Sequence, residues 1–327
     1  MNKFKTSEIS RLGGLTSSIL SGANLKQTAF LDQNSSTLTT PEEITSFLWD
    51  RLQGTWAGNK GWNVIALPSP GSVPTDKGDF KLLVQPYFET LTFTDAGAPA
   101  RNRGGKVDQF ISALEYKQHV SDKDNGELLH VENGMFLNLS EILEGDDKQP
   151  IPKFNVARSG TIPHGDSVML LGTPPVIAEG APKFPVTSSL PPDTGDKAPL
   201  GYLDPYLNAN IKGLNLSNLN DSLQADLDEQ KAEGIEVKET ITVVLDSANS
   251  GGIVNVPFIK NFANASRFVS IFWLEKMVNT KTGQEFDQLQ YTQIIDIDFH
   301  HKFSNDPEKA KELITWPHIT INTMVKQ

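Results

Sequence analysis

The chain predicts an all-β fold, an antiparallel up-and-down β-barrel of about ten strands, on three observations. Short runs rich in Val, Ile, Thr and aromatic residues recur from residue 54 onward. Hairpin signals separate them, such as Asp124-Asn125-Gly126 and Asn279-Thr280-Lys281-Thr282-Gly283. The last run, Trp316 to Val325, alternates and lies at the C-terminus, where a strand stays ordered only if something pairs with it. Closing a barrel supplies that partner and removes exposed edges.

Taken in order, residues 1–40 read as an N-terminal arm rich in Ser, Thr and Asn, with a weak helical rhythm at Ile9, Leu12, Leu15 and Ile19. The remainder, 41–327, reads as one barrel domain with an insertion at 173–234. Thr40-Pro41-Glu42-Glu43 starts a helix, with Thr40 as cap and Pro41 at the first position. Its apolar face is Ile44, Phe47, Leu48 and Leu52, and it stops at Gly54.

Strands are then expected at Trp62–Pro68, Phe80–Tyr87 and Phe88–Phe93. Phe110–Val120 and Gly126–Leu139 follow, then Ala157–Ile162 and Ser167–Gly172 joined through Pro163-His164-Gly165. Prolines recur from Pro174 to Pro205, and Leu214–Gly234 is polar with a helical rhythm. That stretch is too long for an ordinary connection, so it is an insertion, lid or excursion. Strands resume at Ile235–Asp246, Phe268–Asn279, Phe286–His300 and Trp316–Val325.

Composition narrows the function classes. Lys plus Arg total 29 against 40 Asp plus Glu, a net charge of −11. Nucleic acid and anionic membrane surfaces both call for a basic footprint, so neither is an expected partner. The absence of cysteine excludes disulfides, thiolate metal sites and cysteine nucleophiles. No run approaches the roughly 20 apolar residues of a membrane helix, and the N-terminal residues lack the apolar core of a secretory signal. The expectation is a cytoplasmic protein without a membrane span.

The histidines are the remaining place to look for chemistry. His119 ends a strand beside Asp122 and Asp124 and reads as a solvated position. His130 and Glu132 share one strand face, compatible with acid–base work or with a surface cross-strand pair, the second being the favoured reading. Asp296, Asp298 and His300 also share a face, which suits either a metal or a plain polar outer face; Ile295, Ile297 and Phe299 would then be buried. His164, in a rigid turn beside Asp166, is either bonded locally or placed at a barrel rim where ligand contacts gather. The basic turn Gly97–Gly105 is too loose for an anion site, and Gly-x-Ser-x-Gly, phosphate-loop and dinucleotide fingerprints are absent. In the last strand His318, Thr320 and Asn322 share one face and Ile319, Ile321 and Val325 the other. Polarity alone buries the isoleucines and exposes His318, although a ligand-holding lumen tolerates polar residues.

Four short motifs in order resemble the nitrobindin family of haem-binding barrels: Gly54-Thr55-Trp56-Ala57-Gly58, Leu129-His130-Val131-Glu132-Asn133-Gly134, Tyr291-Thr292-Gln293-Ile294-Ile295 and Pro317-His318-Ile319-Thr320-Ile321. The chain departs from the pattern at Asn59-Lys60-Gly61-Trp62, where the family continues its glycine alternation to Tyr-Pro, and at Leu137-Asn138, where an arginine is usual. The resemblance implies haem in the lumen, His318 as axial ligand of its iron, Thr320 beside it and His164 as a distal group. It gives Gly54, Thr55 and Trp56 a structural role, the indole plugging a barrel end. Gas binding, or an isomerase- or peroxidase-like conversion of a small oxidant, would follow, and a homodimer is a compatible assembly. A metal-free carrier of a fatty acid or other hydrophobic small molecule, and an enzyme on an organic substrate gated by the 173–234 insertion, stand as alternatives.

Overall fold

The computed structural model describes residues 41–69, 80–104, 108–143, 154–199, 201–209, 211–249 and 251–327. The arm and helical rhythm expected over 1–40 lie outside them. Helix α1 (Pro41–Leu52) leads into β1 (Gly54–Pro68), β2 (Phe80–Asp95), β3 (Ala100–Arg103), β4 (Asp108–Asp122), β5 (Leu128–Leu143), β6 (Val156–Ile162) and β7 (Asp166–Gly172). The insertion carries β8 (Val176–Glu179), α2 (Asp204–Leu207) and α3 (Asn220–Glu233). The chain returns through β9 (Ile235–Asp246), β10 (Gly252–Asn255), α4 (Pro257–Phe262), β11 (Asn264–Asn279), β12 (Glu285–His301) and β13 (Leu313–Lys326).

Ten of these strands form the closed antiparallel barrel that the sequence predicts, and β3, β8 and β10 are extra. Around the wall the order is β7, β6, β5, β4, β2, β1, β13, β12, β11 and β9, with β9 meeting β7 to close the ring. The terminal strand β13 is an inner member, paired with β1 and with β12. The closing seam is short, with Leu171 opposite Asp246 as the ladder pair between β7 and β9. The Asn249 side chain reinforces it by donating to the Leu171 carbonyl at 3.2 Å.

Three local expectations are corrected. Strand β1 begins at Gly54 rather than Trp62, so the Gly-Thr-Trp segment is itself wall. Phe80–Tyr87 and Phe88–Phe93 are one strand. Pro86 does not break it, because the ladder to β4 starts one residue later at Tyr87 and the ladder to β1 is already irregular at Gly58 to Gly61. The basic turn at 97–105 contains β3, paired with β4 through Arg101 opposite Phe110.

Two apolar cores share one wall. Inside the barrel, Trp56, Phe93, Phe136, Leu170, Leu245 and Phe272 pack with Leu48, Trp49 and Leu52 of α1, which closes that end. Gly54 turns the chain from helix to strand at φ +116°, a conformation L side chains rarely adopt. The Trp56 indole N–H then donates to the Leu52 carbonyl at 2.8 Å, and Lys326 lies over its ring at 5.4 Å. Thr55 meets Thr92 across the strands at 3.1 Å.

Outside the barrel, Leu190, Leu216, Leu219 and Leu223 of the insertion pack on Val269, Ile271, Trp273, Ile319 and Ile321. Consequently β11 is buried continuously from Phe268 to Glu275, with no alternation. Polar residues on this covered face find partners in the insertion: Thr292 donates to Asn220 at 2.6 Å and Gln290 to the Leu223 carbonyl at 3.1 Å. The described part of the insertion is therefore a second structural layer. Leu219→Ala, at a fully buried position of that layer, should cost about 2–4 kcal/mol of unfolding free energy in urea titration; a change below about 0.5 kcal/mol would mean the layer is only loosely applied.

Candidate functional site

At the barrel end away from α1, which we call the mouth, polar side chains from five strands gather: Asn63, Gln85, Asp122, His130, His318 and Thr320. His318 and Thr320 of β13 lie on the inner face, both half-buried. This overturns the polarity argument for an exposed His318. Ile319 and Ile321, fully buried, face the insertion, so the polar face is left for the lumen. Thr320 hydrogen-bonds Tyr87.

A chain of side-chain hydrogen bonds fixes the His318 ring. Asp122 accepts from Gln85 Nε2 at 3.3 Å, and Gln85 Oε1 accepts from Asn63 Nδ2 at 3.3 Å. Asn63 Oδ1 then faces His318 Nε2 at 2.7 Å. Because Asp122 offers only acceptor oxygens here, the amides point one way along the chain and His318 must donate from Nε2. Its lone pair is on Nδ1. Burial, with the charges of His130 and His164 adding to it, lowers the His318 pKa to about 3, so the ring is neutral across the physiological range.

His130 and His164 stack at the same mouth with ring centroids 5.9 Å apart and planes at 30°. His130 projects from β5, half-buried, and His164 sits exposed on the β6–β7 turn. Burial and then His130 lower the His164 pKa, against the pull of Asp166. The turn depends on Gly165 at φ +106°, where a Cβ would meet Val256 at 2.5 Å.

Beneath the mouth the lumen is filled. Glu132, expected in a surface pair, is fully buried; its Oε1 accepts from Arg158 at 2.8 Å and its Oε2 lies 3.5 Å from His130 Nε2. Tyr116 also donates to Glu132, and Arg158 reaches Ser270 at 3.1 Å. Burial opposes ionisation of Glu132, but the Arg158 guanidinium first, with His130 and Tyr116, holds it down at about 2. A second network joins Glu89 to Gln118, Tyr291 and Asn322 at 2.7, 2.6 and 2.8 Å. Tyr291 and Tyr87 hydroxyls meet at 2.7 Å, and Tyr87 donates to the Ile321 carbonyl. Burial raises the Glu89 pKa against these donors.

The other candidates do not join the mouth. His119 is exposed, paired across strands with Thr90 and Val131. Asp298 accepts from Thr315 at 2.8 Å, and His300, at φ +57°, turns its ring against Phe299. His301 Nδ1 lies 3.2 Å from the Lys311 carbonyl. Among the described residues no three His, Asp or Glu side chains are grouped to hold a metal ion, which removes the metal reading of Asp296, Asp298 and His300. Sequence reasoning missed Asn63, Gln85, Glu89 and Arg158. The available signal was parity, since Glu89 shares the face of Leu91 and Phe93, and Arg158 that of Val156.

Fold and site together define a closed antiparallel barrel with a packed polar lumen and a three-histidine mouth. No family model matches the chain, and no curated protein matches it. Among solved structures, the crystal structure of Rv2717c from M. tuberculosis is similar at 13% identity, over 90% of this chain and 99% of that chain, with a TM-score of 0.36. A likeness of that strength bears on neither fold nor function.

Two outcomes follow. Arg158→Met leaves the Glu132 charge buried and unpaired and should cost about 3–5 kcal/mol by denaturant titration, much of it restored in Arg158→Met/Glu132→Leu. The folded Glu132 pKa lies below its ordinary 4.5, so its stabilisation is present above that value and fades as pH falls toward 2. The folded His318 pKa also lies below its ordinary 6.5. The unfolded chain therefore takes up the proton first, and His318 erodes stability as pH drops from 6.5 toward 3. Its imidazole NMR signals should hold their neutral positions down to about pH 4; a midpoint near 6.5 would contradict the buried, amide-held ring.

Proposed function

We propose that the mouth is a ligand site centred on His318, in a barrel of the nitrobindin type, and that haem is the ligand. One observation carries the reading: three histidines from β5, the β6–β7 turn and β13 gather at one end of an otherwise filled barrel. The donor chemistry fits the group, because haem iron takes a neutral imidazole and His318 is neutral, with Nε2 held by Asn63 and its lone pair on Nδ1. Asn63 does the work of an orienting partner, holding the opposite nitrogen at 2.7 Å. His130 and His164 are the polar groups beside any molecule seated there, and the fully buried Tyr87, Glu89, Glu132 and Arg158 confine it to the mouth. When bound, iron would supply reversible binding of a small gas or turnover of a peroxide-type oxidant.

A fatty-acid carrier is the weaker reading. Arg158, the buried cation of the lumen that would hold a carboxylate head, is already paired with Glu132 at 2.8 Å.

Reconstitution with haem should give an intense Soret absorption that is lost in His318→Ala, and Asn63→Ala should bind about 10-fold more weakly. An identical spectrum in wild type and His318→Ala, or no Soret band in either, would sink the haem reading.

A further inference from the structure

We infer that the rim of this mouth, formed by β10 and α4, docks on a zwitterionic lipid surface. After β9 the chain runs out along the edge strand β10, whose ladder is with β7, and then makes the short helix α4. Four large apolar side chains stand out from this excursion: Val254 at 72% exposure, Phe258 at 69%, Phe262 at 60% and Val256 at 44%. Phe258 and Phe262 are four residues apart, so one helix face carries both rings, with centroids 4.9 Å apart. Nothing about strand or helix formation requires them to be apolar. A solvated one-turn helix would be cheaper with polar residues there, and a protruding aromatic pair is a feature of binding surfaces.

The patch is held firmly at its base. Asn255 Nδ2 donates to the Ala265 carbonyl at 2.8 Å and lies 3.2 Å from Asn264 Oδ1, tying the excursion's two legs. The Val256 N–H donates at 2.9 Å to the Gly165 carbonyl, in the turn that carries His164. The rings are thus presented beside the opening rather than on the distant wall.

Size and charge choose the occupant. The four side chains offer on the order of 500 Å², below the roughly 800 Å² each partner contributes to a stable protein interface. Interfacial insertion needs only an apolar wedge reaching about 5–10 Å into the headgroup boundary. The run from Ser247 to Ser266 contains no Asp or Glu and one basic residue, Lys260, within a chain of net charge −11. An acid-free wedge can approach lipid headgroups, while the acidic remainder disfavours anionic bilayers. Lys260, exposed between the two phenylalanines, can extend its ammonium back to the headgroups.

The test is co-sedimentation of the full chain with phosphatidylcholine vesicles, for wild type and for Phe258→Ser/Phe262→Ser. Both positions are exposed, so the double variant should keep the wild-type melting temperature. Wild type is expected to sediment with the vesicles with little dependence on salt, and the double variant to bind at least about 10-fold more weakly. Wild type that stays in the supernatant as in vesicle-free controls, or equal binding by both proteins, overturns the inference. So does a wild-type dimer in sedimentation velocity that the double substitution dissociates, which would make a second copy the occupant.

Discussion

Burial of one wall from both sides is the constraint on which the molecule depends. A barrel strand ordinarily has one packed face and one wet one, and its sequence alternates accordingly. Here β11, β12 and β13 have the lumen on one side and the 173–234 insertion on the other. Along their central stretches each position meets one packed environment or the other. Ile271, Ile294, Ile319, Ile321, Val269 and Trp273 fill the outer layer, while Tyr291, His318 and Asn322 are left to the interior. The interior can accept these polar groups only because they bond to one another, since an unpaired buried polar atom would be costly.

The same constraint explains how far the sequence could be read. Periodicity located the barrel strands and the first helix, because alternation, helical rhythm and turn residues are local properties, while the expected cap Thr40 lies outside the described residues. Polarity alone buried Ile319 and Ile321 correctly but pointed His318 to solvent, since the rule that the apolar face is the buried one assumes solvent on the other side. Whether Ile319 and Ile321 meet the lumen or a covering segment is a question of long-range packing that a window of ten residues does not contain. His130 and Glu132 illustrate the same limit: their shared face was legible, but the burial of Glu132 depends on Arg158, 26 positions away. The rim excursion at 252–262 was missed because a four-residue strand and a one-turn helix are too short for any period to register.

Within the lumen, polarity is graded along the axis. The end closed by α1 is apolar, the middle holds two hydrogen-bonded networks around Glu89 and Glu132, and the mouth keeps partly accessible amides and imidazoles. The middle layer therefore acts as a floor. It carries titratable groups whose states are set by their partners, and any molecule entering from the mouth meets that floor before it meets hydrocarbon.

The seam between β7 and β9 gives this architecture a particular mechanical character. Nine of the ten junctions in the wall are ladders of at least five pairs, several of them bulged, whereas the tenth rests on Leu171 opposite Asp246, with help from the Asn249 side chain and from β10, which pairs with β7 and is tied through Asn255 to β11. A tube fastened along one side so lightly behaves like a rolled sheet with a clasp. Transient parting there exposes few backbone groups and leaves the neighbouring ladders intact, so it lies at the low end of the opening free energies available to the fold. Amide hydrogens flanking the clasp should exchange with solvent before those of β12, whose two ladders and two cores hold it on every side. Closure of the ring thus depends on this clasp and on the β10 excursion beside it, so the segment that presents the exposed phenylalanines also braces the weakest junction of the wall.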